Sequence, residues 1–328
     1  MSETIIAVGG DDIEHILPMS QAIEAVAAAM IRLSSAEVQA PPRLYTPLDS
    51  GGGIGLMFGS MPTRARAGVK VSSIFPATMR QGLPNHQGVV VMFATENGRP
   101  LLICEGRVLT SVRTAAASAV ATRALAREDA STLTLLGCGE QASRHLEAIA
   151  LVRPIREVRI WGRSPDRVAV FIAGHRRADG PLLVAATSVQ QAVEGADIVC
   201  TLTGSGEPIL RGNWLADGQH VNLVGASTRA SREADDDVVR YARYFVDSRV
   251  HALEHAGELR HAMAAGLVDD AHIVGEIGHV LLGEVRGRLN DNDRTVYKSL
   301  GHIAQDIAAS EALLDAATKT ERGTRLNW

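Results

Sequence analysis

The feature that most narrows what this chain can fold into is a glycine turn set between a strand and a helix. The run Thr132–Leu136 (TLTLL) leads into Gly137-Cys138-Gly139-Glu140-Gln141-Ala142, and a helical segment, Gln141–Val152, follows. In such a GxGxxA the first glycine permits a tight turn and the second lets main chain approach a pyrophosphate. The small Ala142 lets the helix lie close to its strand, with the helix N-terminus facing the phosphates. Further strand-like runs at Glu157–Trp161, Leu182–Ala186, Asp197–Leu202, His220–Val224 and Tyr244–Asp247 alternate with helical stretches. Repeated βα units of this kind give a parallel sheet with right-handed crossovers. The expectation is an α/β chain with a Rossmann NAD(P)-binding domain.

The chain changes character near residue 100. Eight of its 12 prolines fall at or before Pro100 and none beyond Pro208. The first third reads as short strands and loops around one helix, roughly Ser20–Leu33, with an apolar stripe at Ile23, Val26, Met30 and Leu33. Strands are expected at Gly68–Ile74, Gly88–Ala94 and Pro100–Cys104, with turns at Gly51–Gly53 and in TENGRP, where Asn97-Gly98 forms a hairpin tip. A helix over Thr114–Arg127 precedes the glycine turn, and the tail Thr295–Ala317 reads as helical. At 328 residues two domains are expected. Residues 114–304 would form the Rossmann domain. Residues 1–113 and 305–328 would form a smaller α+β substrate-binding and dimerisation domain, built from the N-terminal third and the C-terminal helix.

Composition excludes several classes. Lys plus Arg is 33 against 37 Asp plus Glu, so there is no basic excess for nucleic acid or a membrane surface. Cys104, Cys138 and Cys200 lie far apart without metal or disulfide spacing. Met1–Gly10 lacks the basic start of a signal peptide, and the alanine-rich stretch around Thr114–Leu125 is too short and too polar to span a bilayer. A reducing cytoplasm is the expected location.

The second strand ends at Trp161-Gly162-Arg163-Ser164, where an NAD enzyme would place an acid for the ribose 2′-hydroxyl. Arg163 instead suits a 2′-phosphate, with Ser164 adding a hydrogen bond, and Asp166 reads as a helix cap. NADP(H) is therefore expected over NAD(H). The expected cofactor-binding set is Gly137, Gly139, Glu140, Gln141, Ala142, Arg163 and Ser164, the strand-end residues Thr201, Thr203, Val224 and Gly225, and Ser299 and Gly301.

Three cations stand beside turn or strand signals in the first domain: Arg43 in APPRLY, Lys70 in GVKVSS and Arg113 in LTSVRTAAA. Lys70 alternates within an apolar strand, and Arg113 precedes a nearly uncharged helix, a costly place for a charge without a partner. Taken singly, each also reads as a snorkelling or ion-paired surface cation. His251 and His255 flank Glu254 in HxxEH, but no third ligand signal accompanies them and no metal is expected; they read as decorating a surface helix. Asp247 and Ser248 close a strand and are placed to cap the next helix.

The segments GLPNHQG, LTSVRTAAASAVATRALA, LTLLGCGEQASRHLEAI, VNLVGA, YFVDSR and TVYKSLGHIAQDIAA occur in this order, and together they resemble the ornithine cyclodeaminase/mu-crystallin family over nearly the whole chain. The resemblance implies that Arg43, Lys70 and Arg113 bind a substrate carboxylate and its neighbouring nitrogen. It also implies that the strand around Asn85–Gln87, including His86 and Gln87, lines the pocket with His302, and that the protein is a homodimer. Either histidine also reads as a satisfied structural residue.

One departure stands out. Cyclodeaminases of this family carry a general acid/base aspartate two residues after the glycine matching Gly225, and this chain has Ser227 there. The lysine that follows falls on Ser231, and Asp235–Asp237 read as a solvated acidic helix start. Without that carboxylate, reduction of a preformed C=N bond is expected over ornithine cyclisation, as in the ketimine-reducing mu-crystallin-like members, which share the serine. Lys70, Arg113 and Ser227 would form the catalytic set, with Ser227 giving at most an orienting hydrogen bond. The alternatives are a cyclodeaminase or alanine-dehydrogenase-like enzyme, and a non-catalytic NADPH-dependent binding protein.

Overall fold

A computed structural model describes residues 4–49, 51–75, 78 and 82–327, so the first three positions of the Met1–Gly10 stretch lie outside it. The chain divides into two compact units, Met1–Arg113 with Gly301–Trp328, and Thr114–Leu300.

In chain order the first unit contains β1 (Thr4–Val8), α1 (Gly10–Ile16), α2 (Met19–Ser34), β2 (Leu44–Leu48), β3 (Gly52–Met61), β4 (Arg66–Ile74), β5 (His86–Ala94) and β6 (Pro100–Glu105). Helix α3 (Gly106–Leu125) then runs on into the second unit. That unit holds β7 (Thr132–Leu136), α4 (Glu140–Ala150), β8 (Glu157–Trp161), α5 (Pro165–His175), β9 (Leu182–Ala185), α6 (Val189–Val193), β10 (Ile198–Thr201) and β11 (His220–Leu223). It continues through α7 (Asp236–Arg240), β12 (Arg243–Val246), α8 (Arg249–His255), α9 (Gly257–Ala264), β13 (Ile273–Glu276), α10 (Ile277–Leu281) and β14 (Thr295–Lys298). The chain returns to the first unit as α11 (Ile303–Thr320) and β15 (Thr324–Asn327).

Among the described residues the second unit carries an eight-stranded sheet in the order β13-β12-β14-β11-β10-β7-β8-β9, with every neighbouring pair parallel. Every residue of β10, β11 and β14 is buried, as expected of central strands covered on both faces. The strand order reverses between β7 and β10, the switch point at which open parallel sheets bind ligands beyond their carboxyl ends.

Two expectations about helices are corrected. The tail does not begin as a helix. Thr295–Lys298 is β14, wedged between β11 and β12, where Thr295, Val296 and Tyr297 suit a pleated, buried surface. Gly301, at φ +78°, breaks the chain direction before α11 starts. Helix α3 also starts earlier than Thr114, so Arg113 lies inside it rather than before it. The Glu105 carboxylate accepts from the amides of Arg107 and Val108, satisfying the first turn from Gly106 onward. At the other end of α3, the buried Arg153 guanidinium donates to the carbonyls of Thr122, Arg123, Ala126 and Arg127. A cation there offsets both the open carbonyls and the helix dipole. Ala115 through Ala121 are fully buried, so the alanine run is a core helix.

Among the described residues the first unit is built on a seven-stranded sheet ordered β15-β1-β6-β5-β4-β3-β2, antiparallel except for the β1–β6 pair. The β5–β6 hairpin turns at Asn97-Gly98, where Gly98 has φ +73° and the Asn97 side chain accepts from the Arg99 amide. Of the Gly51–Gly53 run only Gly51 stays in the turn, and Gly52 already opens β3. Helix α2 buries Ala22, Ile23, Val26 and Met30, and packs against α11, which lies across β3 and β4. A Cβ on Gly68 of β4 would lie 2.7 Å from the Ile307 side chain, so this glycine lets α11 approach the sheet closely. On the opposite face Leu44, Leu56, Val71 and Val89 form one cross-strand row, with Leu44, Val71 and Val89 at 56%, 37% and 43% exposure.

Candidate active site

The second unit presents a nucleotide site. Gly137 has φ +131°, and a Cβ on it would lie 2.6 Å from the Leu202 carbonyl, so the turn after β7 abuts the segment leaving β10 at the switch point. Gly139 is extended, and a Cβ there would meet nothing within 4 Å, which leaves open space above the first turn of α4. Ala142 is fully buried, Glu140 is exposed at the first helical position, and Gln141 Oε1 is buried with no hydrogen-bond partner. An open glycine, a helix N-terminus and an orphaned acceptor fit a dinucleotide.

Gly162 abuts the same loop, since a Cβ on it would lie 3.0 Å from Cys138 Sγ. The next residue, Arg163, is exposed, and Ser164 caps α5 by accepting from the Arg167 amide. The cap is therefore Ser164 and not Asp166, which sits in the first turn. The Ser164 hydroxyl proton remains available to donate.

The segments after β10 and β11 are organised by a residue that no motif singles out. Glu233 is fully buried, and its carboxylate accepts from Thr201 Oγ1, from the amide and Oγ1 of Thr203, and from the Ala226 amide. A Cβ on Gly225 would lie 2.6 Å from both carboxylate oxygens, so glycine is required to seat them. Burial pushes the Glu233 carboxyl up, while its Thr203 and Thr201 donors and Lys298 pull it down. The hydroxyls of Thr201 and Thr203 are thus committed within the protein, which leaves main chain as their contribution to a cofactor site. Beneath lies a second buried charge pair, Lys298 Nζ to Glu258 Oε2 at 2.8 Å, with Lys298 also donating to the Ala226 carbonyl. Val224 is buried, and Ser299 Oγ is buried without a partner.

Ser227 is exposed two residues past Gly225. The acids that follow are engaged elsewhere: Asp235 caps α7 and accepts from the Gly212 amide, and Asp236 pairs with His261 and Arg232. Ser248 caps α8, while Asp247 accepts from the Ser248 and Leu300 amides. His251 is buried rather than on a surface, because its side of α8 packs with Ala252 toward the core. No group of three metal-ligating side chains occurs among the described residues.

The first unit brings Lys70 and Arg113 onto one carboxylate. Lys70 Nζ lies 3.1 Å and Arg113 Nε 3.0 Å from the same oxygen, Oδ1 of Asp306 on α11. Arg113 Nη1 donates to Gln305 at 3.2 Å. Asp306 Oδ2 and Gln305 Nε2 are buried with no partner. All three charged groups are nearly or fully buried. Burial pushes Lys70 down to about 8, Asp306 opposing that shift and Arg113 adding to it. Burial alone would push the Asp306 carboxyl up, but Arg113 and Lys70 hold it below the usual range. Half-buried His86 is lowered to about 4 by burial and then by Lys70 and Arg113, and is therefore neutral near pH 7. Gln87 is exposed beside it on β5, and Arg43 is half-buried ahead of β2. His302 caps α11, its Nδ1 accepting from the Ala304 amide. Gly301 sits against Arg113: a Cβ on it would lie 2.7 Å from Nη1.

Asp306 had a sequence signal, although a faint one. Every residue from Ile303 to Ser310 is buried, and a carboxylate within so apolar a run needs a cation opposite.

The family model for ornithine cyclodeaminase/mu-crystallin proteins matches residues 5–321. The chain belongs to this family. The ketimine reductase mu-crystallin of Mus musculus is 34% identical over 92% of this chain and 94% of its own length. A Δ1-pyrroline-2-carboxylate reductase of Bacillus cereus is 30% identical over 99% and 100%. Among solved structures, the Thermococcus litoralis Δ1-pyrroline-2-carboxylate reductase in complex with NADH and L-proline superposes with a TM-score of 0.95 at 29% identity, covering 98% of this chain and 100% of that one. The family resemblance and the Rossmann fold expected from the motifs both hold.

Proposed function

We propose that this protein reduces a cyclic ketimine, such as Δ1-pyrroline-2-carboxylate or Δ1-piperideine-2-carboxylate, to the cyclic amino acid, with NADPH preferred as reductant. The chain is an oxidoreductase acting on C=N bonds with a nicotinamide cofactor, as its relatives' names and the fitted glycine loop support. The observation that carries the reading is the shared Asp306 oxygen, which holds one permanent and one titratable cation side by side.

Arg113 holds the substrate carboxylate through its fork of donors, which fixes the imine carbon in place. Lys70, with its proton affinity lowered to about 8, is a suitable acid to protonate the nitrogen near neutral pH. The glycine loop at Gly137–Ala142 would hold the nicotinamide cofactor, which when bound would supply a hydride for the imine carbon. Ser227 carries no charge to stabilise an ammonium, and Asp235 and Asp236 are engaged elsewhere, which favours imine reduction over deamination. The exposed Arg163, followed by Ser164, supports binding of a 2′-phosphate.

The exposed aliphatic row Leu44–Leu56–Val71–Val89 supports a homodimer paired through that sheet face. Three unpaired cysteines accord with a reducing cytoplasm. The deciding assay follows NADPH and NADH oxidation across cyclic imines, with ornithine and alanine run in parallel. Turnover of ornithine or alanine without imine reduction would replace this reading.

A further inference from the structure

Each oxygen of the Glu233 carboxylate accepts from one hydroxyl and one main-chain amide. Oε1 takes the Thr203 amide at 2.6 Å and Thr203 Oγ1 at 2.7 Å, while Oε2 takes Thr201 Oγ1 at 2.8 Å and the Ala226 amide at 3.1 Å. One side chain thereby ties the segment leaving β10 to the segment leaving β11. The two segments touch, since a Cβ on Gly225 would stand 2.1 Å from the Thr203 carbonyl. Glu233 is itself held in place: its amide donates to Glu258 Oε1, Glu258 Oε2 pairs with Lys298, and Lys298 donates to the Ala226 carbonyl. The ring closes on Ala226, whose N–H and C=O are both engaged. Further along the first segment, a Cβ on Gly204 or Gly206 would meet nothing within 4 Å, so that segment has an open side.

In an open parallel sheet that binds a dinucleotide, the two mononucleotide halves lie on either side of the switch point. The glycine loop follows β7 and Arg163 follows β8, so that side would take the adenosine half, and the ends of β10 and β11 are left for the nicotinamide half. Resting on the nicotinamide-cofactor reading above, we propose that Glu233 is a positioning residue, which ties these two segments into a preformed shelf for the nicotinamide half of the cofactor. Segments ordered beforehand need not be ordered at the moment of contact, which favours binding. The role demands a carboxylate. A glutamine offers one acceptor oxygen and one NH2 group, and whichever way it turns, the NH2 faces a main-chain N–H that can only donate, Thr203 on one side or Ala226 on the other. The two threonine hydroxyls can rotate to accept; the two amides cannot. Glu233→Gln must therefore release one segment or the other at almost unchanged volume.

The test compares the whole cofactor with its adenosine half, both by calorimetry on the full chain. NADPH is paired with adenosine 2′,5′-bisphosphate, and NADH with ADP, so the comparison holds whichever cofactor is preferred. Glu233→Gln is expected to weaken the preferred cofactor about tenfold and its adenosine half by less than about twofold. A general loosening of the fold would weaken both probes together, and such equal losses overturn the proposal. An unchanged cofactor dissociation constant in the folded variant overturns it too. If Glu233→Gln does not fold, Thr203→Val, which removes one hydroxyl donor at nearly constant volume, must weaken the cofactor about threefold and spare the adenosine half. Equal or absent losses in that variant overturn the proposal likewise. Probes that behave as expected in a protein that reduces no imine would refute the reductase reading alone. An enzyme that reduces Δ1-pyrroline-2-carboxylate, and whose Glu233→Gln variant binds cofactor as the wild type does, would refute only the role of Glu233.

Discussion

Replacing Gly301 with alanine tests whether backbone geometry places Arg113. Gly301 has φ +78°, where a side chain costs about 1–2 kcal/mol. The new Cβ would also lie 2.7 Å from Arg113 Nη1 and 3.0 Å from Nη2. Arg113 has little freedom to move aside, because Nε is bound to Asp306 and Nη1 to Gln305. Yielding means losing the Nη1–Gln305 bond, a charge-assisted contact worth about 1.5–3 kcal/mol. The combined cost is about 2.5–5 kcal/mol, which for a domain of this size lowers the melting temperature by roughly 5–20 °C. Because the shifted group would bind the substrate carboxylate, KM for the imino acid should rise about tenfold. Gly301→Asn separates the two causes, since asparagine tolerates the left-handed region but keeps the Cβ. It should recover part of the melting temperature and none of the KM. A folded Gly301→Ala enzyme with KM within about twofold of wild type would refute the reasoning.

Arg113→Ala should lower kcat/KM for a cyclic ketimine by about a hundredfold or more while the NADPH dissociation constant stays unchanged, and undiminished turnover would remove Arg113 from its role. With Lys70 lowered to about 8, its acid form is present below that pH and lost above it, so kcat/KM should fall as pH rises through about 8. The same lowered value means that the unfolded chain binds this proton more tightly, so this group's contribution to stability rises with pH between about 8 and 10.5. A kcat/KM profile flat to pH 10 would exclude Lys70 as the acid. Arg163→Ala should cut the preference for NADPH over NADH about tenfold, as read from the two dissociation constants, and no change there would shift the 2′-phosphate contact to another residue. Val71→Glu, in the middle of the exposed sheet row, should convert a dimer to a monomer in sedimentation, and an unaltered sedimentation coefficient would place the interface elsewhere.

The glycine loop was legible because its chemistry is local. Strand, turn and helix are consecutive, and Gly137, Gly139 and Ala142 each do a job visible in a six-residue window. Lys70 could be suspected because a cation alternates with apolar residues on one strand. That Asp306 is its partner could not be read, since Asp306 lies 236 residues further on and only the packing of α11 against β4 joins them. Glu233 stayed hidden for a different reason. Its ligands are two amides and two threonine hydroxyls from the ends of separate strands, none of which advertises a carboxylate. The start of α3 was obscured by Gly106, a poor helix residue whose position is secured by the preceding Glu105 side chain. β14 was read as helix because four residues are too few to show a period of two.

The order in which the polypeptide leaves the ribosome has a bearing on the Lys70–Arg113–Asp306 cluster. The Thr114–Leu300 unit is one uninterrupted stretch and can close on itself as soon as it is made, since domains fold as units during synthesis. The other unit has to wait for α11 and β15, the last elements translated, before its two cations meet their carboxylate. A chain whose contiguous unit closes first would hold Lys70 and Arg113 without their counter-ion until α11 docks. A chain that stops short of Asp306 would contain the whole Thr114–Leu300 stretch and still lack the carboxylate on which Lys70 and Arg113 converge.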